Sequence, residues 1–529
     1  MTLLAVIADP HYHDCGWVPK HSGLPGAIRT YAETIASTRV FNESAAAFRA
    51  ALDRAVAEGA RHVLLIGDLT DDGQVPNIAG AVALLAHYRK RHGLRVFATP
   101  GNHDFFAVAG RPQVKTFIAT DGSPVVVDSS TTPEAATLGA LPALQMMGRL
   151  GYQPETGDLH WESPFGRNPD WAARSYDVTS PDGGTCCRMI DASYLVEPVP
   201  DLWLLSIDAN VCAPRNGATD LRDAAQFHDP TDTGWSGVLH HRAHVLSWMA
   251  DVAQRAQVMG KRLIAFSHYP GLDALGGASA DEVALFGASG LARRAPGAEV
   301  AAAFAKTGVQ VHFSGHLHVN DTAAYRGPEG AFLNLAVPSP VGFPAGMKLA
   351  DVGVDQITIR TVSLADAPAH DVAFTAYRAE AICAGQSAPP ASHAHDYGAF
   401  LNCHLAAVVQ DRYIPREWPE DMADFVASRH VDDLLALIGV AGLDAPDIAL
   451  AALVEDWYRL RKGGEAAAPF IAADRLAFYH KLCAQLPDRN GSDLAVRFIT
   501  LLRIMRAYLA RLPNGDFIIH LPDLRITPI

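Results

Sequence analysis

Residues 62–71 have the sequence HVLLIGDLTD, an apolar run that passes directly into a glycine and two carboxylates. Short apolar runs bounded by glycine or polar residues predict buried strands. Four similar runs are followed within a few residues by the motifs Asp9-Pro10-His11, Gly101-Asn102-His103-Asp104, Ser267-His268 and Gly315-His316-Leu317-His318. In an open α/β sheet, functional groups collect on the loops just beyond the carboxyl ends of the strands. We therefore expect the five motifs to converge on one crevice, although they are far apart in sequence.

The side chains in these motifs that are best suited to metal binding are two carboxylates, one amide and four imidazoles. They are Asp9, His11, Asp68, Asn102, His268, His316 and His318. This set is too large for one ordinary metal centre and fits two metal ions that share a bridging carboxylate. Mn, Fe and Zn all accept oxygen and nitrogen donors, and the lack of a thiolate argues against a soft metal. The sequence thus predicts two divalent or mixed-valence ions without choosing their identity.

The five motifs, in this order, resemble the signature of the calcineurin-like metallophosphoesterase superfamily: D-x-H, G-D-x-x-D, G-N-H-[DE], a lone His, and G-H-x-H. The resemblance covers about residues 1–375 and implies an α/β fold, a two-sheet core flanked by helices with the metals at one edge. It implies that Asp68 bridges the two ions. The other implied ligands are Asp9, His11 and His318 for the first metal, and Asn102, His268 and His316 for the second.

The same resemblance implies two catalytic residues. His103 matches the histidine of the family that binds no metal and faces the phosphate, and Asp71 matches the acid that orients this histidine in some branches. His103 would either protonate the leaving alkoxide or stabilise charge on the phosphoryl group. The alternative for His103 is a loop histidine that only holds Asn102 in place.

Three residues help to distinguish the branches of the superfamily, namely Asp71, Asp72 and Asp104. Its serine/threonine phosphatases carry G-D-x-V-D-R-G and G-N-H-E, whereas this chain has Asp72 at the Arg position and Asp104 at the Glu position. Purple acid phosphatases need a Tyr where this chain has Asp71. The forms GDLTDDG and PGNHD are most similar to those of the bacterial cyclic-nucleotide phosphodiesterase branch.

We therefore expect a metal-dependent enzyme that hydrolyses a phosphodiester bond in a small substrate, such as a cyclic nucleotide, by a metal-activated hydroxide. A phosphomonoesterase is the main alternative, because the same metal pair serves both reactions. A nuclease is disfavoured by the formal net charge of −14, since affinity for a phosphate backbone depends on Lys and Arg. A scaffold without catalysis is disfavoured because all seven ligand positions are filled.

Length and composition predict a multidomain globular protein. The chain has 529 residues, of which 49% are hydrophobic and 19% charged, and this length favours two or three domains. Met1 leads directly into the first predicted strand, so no signal peptide is expected, and no apolar stretch is long enough to span a bilayer. Seven cysteines, an odd number, suit a reducing compartment. We expect a cytoplasmic protein that has no membrane partner.

The chain divides into a catalytic domain, residues 1–385, and a helical C-terminal domain, residues 390–529. Residues 385–392, GQSAPPAS, have the composition of a linker. Within the first domain, residues 105–182 are interpreted as an insertion or lid. The apolar faces of the predicted C-terminal helices need a cover. We expect them to pack on the catalytic domain or on a second subunit, which leaves a homo-oligomer open, and to shape access to the site without supplying ligands. A chain ending near Gln386 is then expected to keep the metal centre.

Overall fold

The computed structural model describes residues 1–288, 290–489, 493–521 and 523–529. Over these residues the chain is a mixed α/β protein with eighteen strands. In chain order they are β1 (Thr2–Ile7), β2 (His62–Ile66), β3 (Arg95–Thr99), β4 (Val114–Ile118), β5 (Pro124–Asp128), β6 (His160–Glu162), β7 (Ser175–Thr179), β8 (Cys186–Ile190), β9 (Tyr194–Val199), β10 (Leu202–Ile207), β11 (Arg262–Ser267), β12 (Val311–Ser314), β13 (Asp321–Gly327), β14 (Gly330–Ala336), β15 (Gly346–Val352), β16 (Gln356–Ser363), β17 (Phe517–His520) and β18 (Arg525–Pro528).

Sixteen α-helices lie in the same described residues. They are α1 (Tyr31–Ile35), α2 (Ser44–Ala57), α3 (Val75–His92), α4 (Ala140–Met147), α5 (Pro230–His241), α6 (Ala243–Val258), α7 (Ser279–Phe286), α8 (Ala298–Lys306), α9 (Phe374–Cys383), α10 (Tyr397–Val408), α11 (Ile414–Glu417), α12 (Glu420–Ser428), α13 (Val431–Ile438), α14 (Leu450–Gly463), α15 (Ala473–Ala484) and α16 (Leu494–Leu509).

Two seven-stranded sheets form the centre of the molecule. The first has the order β18-β17-β16-β15-β1-β2-β3, and the second the order β13-β14-β12-β11-β10-β9-β6. Strands β1, β2 and β3 are parallel to one another, as are β10, β11, β12 and β14. All five residues of β2 are buried, which explains its continuous apolar sequence. The predicted two-sheet core flanked by helices is confirmed, and its five motif-bearing strands are β1, β2, β3, β11 and β12.

The segment interpreted as an insertion, residues 105–182, is only partly separate from this core. Strands β4 and β5 form one hairpin, and β7 pairs with β8 in a second. Strand β6, however, pairs with β9 and is the edge of the second sheet. This segment is therefore built into the fold and does not act only as a cover.

The C-terminal region packs on the catalytic domain at several points. The Nζ of Lys462 donates to the carbonyl of Leu317 at 2.9 Å, and the Nη1 of Arg412 donates to the carbonyl of Ala36 at 2.8 Å. After seven helices the chain returns to the first sheet, where β17 pairs with β16 and β18 with β17. After the boundary predicted near residue 390, the described α-helices are α10 to α16. The last strands, β17 and β18, nevertheless belong to the first sheet.

This pairing reverses the expectation for a chain that ends near Gln386. Removal of residues 387–529 would leave the edge of β16 unpaired and would uncover the apolar surface that α10 and α14 bury. We expect the shortened chain to aggregate or to lack a cooperative unfolding transition, as measured by size-exclusion chromatography and circular dichroism. Deletion of residues 525–529 alone removes only a partly exposed edge strand and is the control, expected to remain folded. A monodisperse shortened protein with two bound metals would contradict this prediction.

Candidate metal centre

The five motif loops meet where the carboxyl ends of β1, β2 and β3 approach those of β11 and β12. Each donor side chain lies one to four residues beyond its strand. The sheets are fixed by buried apolar side chains, so the polar side chains at this edge have a rigid support. The convergence predicted from the motif order is thus present.

Asp9, His11 and His318 form the first donor group, with their ligand atoms all within 4.8 Å of one another. The two Nε2 atoms of the histidines face each other at 3.0 Å, and at most one of them can carry a proton in that contact. Burial, assisted for His11 by nearby Arg39, lowers the pKa of both imidazoles well below the usual range. Two neutral imidazoles with converging lone pairs beside a carboxylate fit a metal cation.

Asp68, His268 and His316 form the second donor group. The Nε2 of His268 lies 3.1 Å from the Nδ1 of His316 and 3.0 Å from the Oδ1 of Asn102. The amide oxygen of Asn102 therefore joins this group, as the motif implied. Its Nδ2 donates to Thr231 Oγ1 at 3.2 Å, which fixes the orientation of the amide.

The outer nitrogens of the two histidines in this group bind backbone carbonyls. His268 Nδ1 donates to Ile66 O at 3.1 Å, and His316 Nε2 donates to Thr231 O at 3.0 Å. A proton held on the outer nitrogen leaves the inner nitrogen with a lone pair directed at the group. The site thus selects the tautomer that metal binding requires.

Asp68 lies between the two groups. Its Oδ2 is 3.6 Å from His11 Nε2 in the first group and 3.2 Å from His268 Nε2 in the second. Its Oδ1 accepts a hydrogen bond from the backbone N–H of His103 at 2.8 Å. A Cβ atom at Gly101 would overlap this oxygen, which explains the glycine of the motif. This position is the one that a bridging carboxylate needs.

Backbone strain is concentrated in the same loops. Five of the donor residues have positive φ, an unusual conformation for residues other than glycine. They are Asp9 at 52°, His11 at 43°, Asp68 at 47°, His316 at 69° and His318 at 50°. Such conformations cost about 1–3 kcal/mol each and persist where the surroundings impose them, often at functional sites.

The buried carboxylates are also electrostatically unusual. Burial raises the pKa of Asp9 to about 8, with the nearby Asp68 adding to the effect. Burial opposes protonation of His268, but Asp68 and Asp9 outweigh it and raise the pKa of His268 to about 9. Buried carboxylates held this close together need a compensating positive charge. A pair of bound cations would supply it.

Comparison with protein families gives a match to the calcineurin-like phosphoesterase family over residues 2–179, about a third of the chain. The match includes Asp9, His11, Asp68 and Asn102, and the structure places the later histidines beside them. Among solved structures, the chain is similar to a dimetal phosphatase from Danio rerio. The two sequences are 14% identical, the similarity covers 68% of this chain and 96% of that chain, and the TM-score is 0.39. The protein TT1561 of Thermus thermophilus has 9% identity, coverage of 68% and 98%, and a TM-score of 0.28.

No curated protein matches the chain at a significant level. Among the residues that the structure describes, no helix has both the length and the apolar character needed to cross a bilayer.

His103 lies beside the donor groups and lines the cavity above them. Its Nδ1 is 2.7 Å from the Oδ1 of Asp72. Asp71, the acid that the resemblance implied for this role, makes no hydrogen bond to His103 among the described residues. Instead its carboxylate accepts from Arg29, Arg39 and Lys115. The predicted contact from Asp71 is thus corrected to Asp72, because three cations hold Asp71 away from the histidine.

Lys115 and Arg39 are site residues that the motifs did not indicate. The Nζ of Lys115, on β4, donates to Asp71 at 2.6 Å and to Asp72 at 2.5 Å. Arg39 donates to Asp71 at 2.9 Å and lies 3.3 Å from His103 Nδ1. The sequence did hold a signal for Lys115, since strand alternation places it on the same buried face as Phe117. A lysine on an apolar face implies a buried partner.

Replacement of Lys115 by Met is expected to destabilise the protein by about 3–5 kcal/mol, because it removes the buried cation that Asp71 and Asp72 share and leaves the two adjacent carboxylates to repel each other. Asp72 would also lose a contact that fixes it toward His103. Denaturant unfolding followed by circular dichroism measures the stability. Lys20→Met, at an exposed ion pair with Glu134, is the control and should change stability little. A Lys115→Met variant as stable as the parent protein would show that the network is not needed for folding.

A cavity of about 250 Å³ lies over the donor groups. Its walls include Arg39 from the catalytic domain and Arg412, Tyr413 and Glu417 from the C-terminal helices. None of the seven predicted metal ligands comes from the C-terminal region. The C-terminal helices therefore form part of the wall of this cavity.

Proposed function

We propose that this metallophosphoesterase hydrolyses a phosphodiester bond in a small substrate, with cyclic nucleotides as the first class to test. The observation that carries the proposal is the place of Asp68 Oδ2 between two donor groups at the floor of a cavity lined by His103. Two bound metal ions would supply a nucleophilic hydroxide and charge stabilisation for the phosphoryl oxygens.

The residues of the chain then have distinct tasks. The carboxylate of Asp72 accepts the Nδ1–H of His103, so Nε2 is the nitrogen available to the leaving alkoxide. The guanidinium of Arg39, fixed by Asp71, lines the cavity next to His103 and can bind a phosphoryl oxygen. The sequence forms GDLTDDG and PGNHD support the phosphodiesterase branch over the protein phosphatases.

A phosphomonoesterase is the second candidate, and a specific observation favours it. Arg39, Arg294 and Arg412 all line the cavity. A terminal phosphate carries more negative charge than a diester and gains more from such a lining. The net charge of −14 still disfavours nucleic acid as a substrate.

Turnover of bis-p-nitrophenyl phosphate and p-nitrophenyl phosphate separates the two candidates. The purified protein is depleted of metal with a chelator and then reloaded with Mn, Fe or Zn, since the donor set accepts all three. We expect activity only in reloaded protein, two metals per chain, and a higher kcat/KM for the diester. Preference for the monoester would favour the second candidate. Equal activity in depleted and reloaded protein would reject both.

We also propose that the enzyme acts in the cytoplasm. All seven cysteines are unpaired, including the adjacent Cys186 and Cys187, which agrees with a reducing compartment.

A further inference from the structure

Two arginines from distant parts of the chain line the cavity above the donor groups. Arg294 ends a short 3₁₀-helix, Ala292–Arg294, that follows α7. Arg412 lies in a π-helical turn, Val409–Tyr413, between α10 and α11. Neither has a role in the metal centre or in the contacts of His103. Their convergence on one cavity is therefore explained neither by metal binding nor by the position of His103.

Both guanidinium groups have N–H donors that no described residue accepts from. Arg294 forms one ion pair among the described residues, between Nε and Asp232 Oδ1 at 3.5 Å, and none through its two Nη atoms. Arg412 donates once, from Nη1 to Ala36 O, and forms no ion pair with the described residues. Arg39, by contrast, is paired with Asp71 at 2.9 Å. A guanidinium offers five N–H donors, so Arg294 and Arg412 retain most of theirs for a ligand.

The cations are also close enough to repel one another. Burial, together with nearby Arg461, Arg294 and Arg412, lowers the pKa of Lys462 to about 7. Apart from Asp68, the carboxylate that lines the described part of the cavity is Glu417, and burial raises its pKa. Arg461 is paired with Glu282 and Arg294 with Asp232, but Arg412 and Lys462 form no ion pair with the described residues, so a bound anion would relieve the repulsion between these cations.

We infer that Arg294 and Arg412 form a subsite for a second anionic group of the substrate, a carboxylate or a phosphate. The substrate is then a small phosphoester that carries a further negative charge besides the group at the metals. Arginine suits this role because its planar fork binds carboxylate and phosphate through two hydrogen bonds. The inference rests on the proposed function, which places the scissile phosphate at the donor groups.

Three phosphonate probes of similar size test the subsite without turnover. They are phenylphosphonates with a para carboxylate, a para carboxamide or a para aminomethyl group, each titrated calorimetrically into metal-loaded protein. The corresponding meta isomers test a different distance between the phosphonate and the second substituent. We expect the carboxylate to bind at least about tenfold more tightly than the carboxamide in one of the two series, as is typical for charge-assisted hydrogen bonds.

Variants assign the preference to the two arginines. Arg294→Gln and Arg412→Gln should each reduce the ratio of carboxylate to carboxamide affinity several-fold, and the double variant should bring it close to one. Arg412→Lys keeps the charge and should retain part of the preference. Arg416→Gln is the matched control, because Arg416 is exposed on α11 and does not line the cavity. Arg416→Gln should leave the ratio unchanged.

The possible results distinguish failure of the anion subsite from failure of the proposed hydrolysis. Equal affinities for carboxylate and carboxamide in both series, or tightest binding of the aminomethyl probe through Glu417, would overturn the inference. A ratio that survives in the double variant would also overturn it. If neither nitrophenyl ester is hydrolysed but the carboxylate preference is present and depends on Arg294 and Arg412, the proposed hydrolysis fails and the anion subsite stands.

Discussion

Replacement of Asp68 by Asn is expected to lower kcat/KM by about 10³-fold or more and to reduce the metal content below two ions per chain. The Oδ2 of Asp68 lies between the two donor groups, so loss of its charge weakens both metal sites at once. Stabilisation by a bound metal is worth several kcal/mol in the transition state, and each 1.4 kcal/mol corresponds to a factor of ten in rate. Metal analysis of the dialysed protein and steady-state kinetics measure the two effects.

Asp104→Asn is the matched control for this variant. Asp104 is also a buried carboxylate, but it accepts hydrogen bonds from the backbone N–H groups of Thr70 and Gly101 and belongs to neither donor group. Burial raises its pKa to about 7, so loss of its negative charge is a smaller change than at Asp68, although the amide keeps only one of the two backbone hydrogen bonds. We expect this control to keep two metals. Full activity and full metal content in the Asp68 variant would exclude a bridging role.

Replacement of His103 by Ala is expected to lower kcat by about 10²–10⁴-fold for substrates with poor leaving groups while both metals stay bound. His103 contributes to neither donor group, so its removal should spare the metals. A leaving group of low pKa needs little protonation, and the loss should shrink across a series of aryl esters as that pKa falls. A Brønsted plot for the parent and variant proteins measures this dependence.

Asp72→Asn serves as the comparison for His103. It keeps the imidazole but replaces the carboxylate at 2.7 Å from Nδ1, and we expect a smaller loss with the same direction of leaving-group dependence. Losses of equal size for good and poor leaving groups in the His103 variant would argue against an acid role and would favour stabilisation of phosphoryl charge.

The core and the donor set were predictable from local sequence. Each donor follows a short apolar run, and such runs become buried strands whatever their partners. The strand at 62–66 was predicted with its true limits because His62–Ile66 is followed at once by Gly67. The last strand, Arg525–Pro528, was missed because it is short and largely exposed. Its pairing with Phe517–His520 depends on a sheet edge formed much earlier in the chain.

The residues that surround the metal ligands and His103 were not predictable in this way. Asp71 and Asp72 are adjacent and chemically identical, and only the positions of Arg29, Arg39 and Lys115 decide which one contacts His103. Arg294 and Arg412 follow no motif. Arg412 reaches the cavity because the C-terminal helices pack on the catalytic domain, through contacts between residues hundreds of positions apart such as Arg412 and Ala36.

The pairing of the last strands with the first sheet has a consequence for biosynthesis. At about 5–20 residues per second, a ribosome needs on the order of ten to thirty seconds to make the segment between β16 and β17. Throughout that time β16 has no neighbour on its outer edge, because β17 and β18 have not yet been made. Newly made chains thus carry an open sheet edge until β17 and β18 emerge, and a chain terminated before them would keep it. We expect the nascent protein to depend on chaperones that shield such edges.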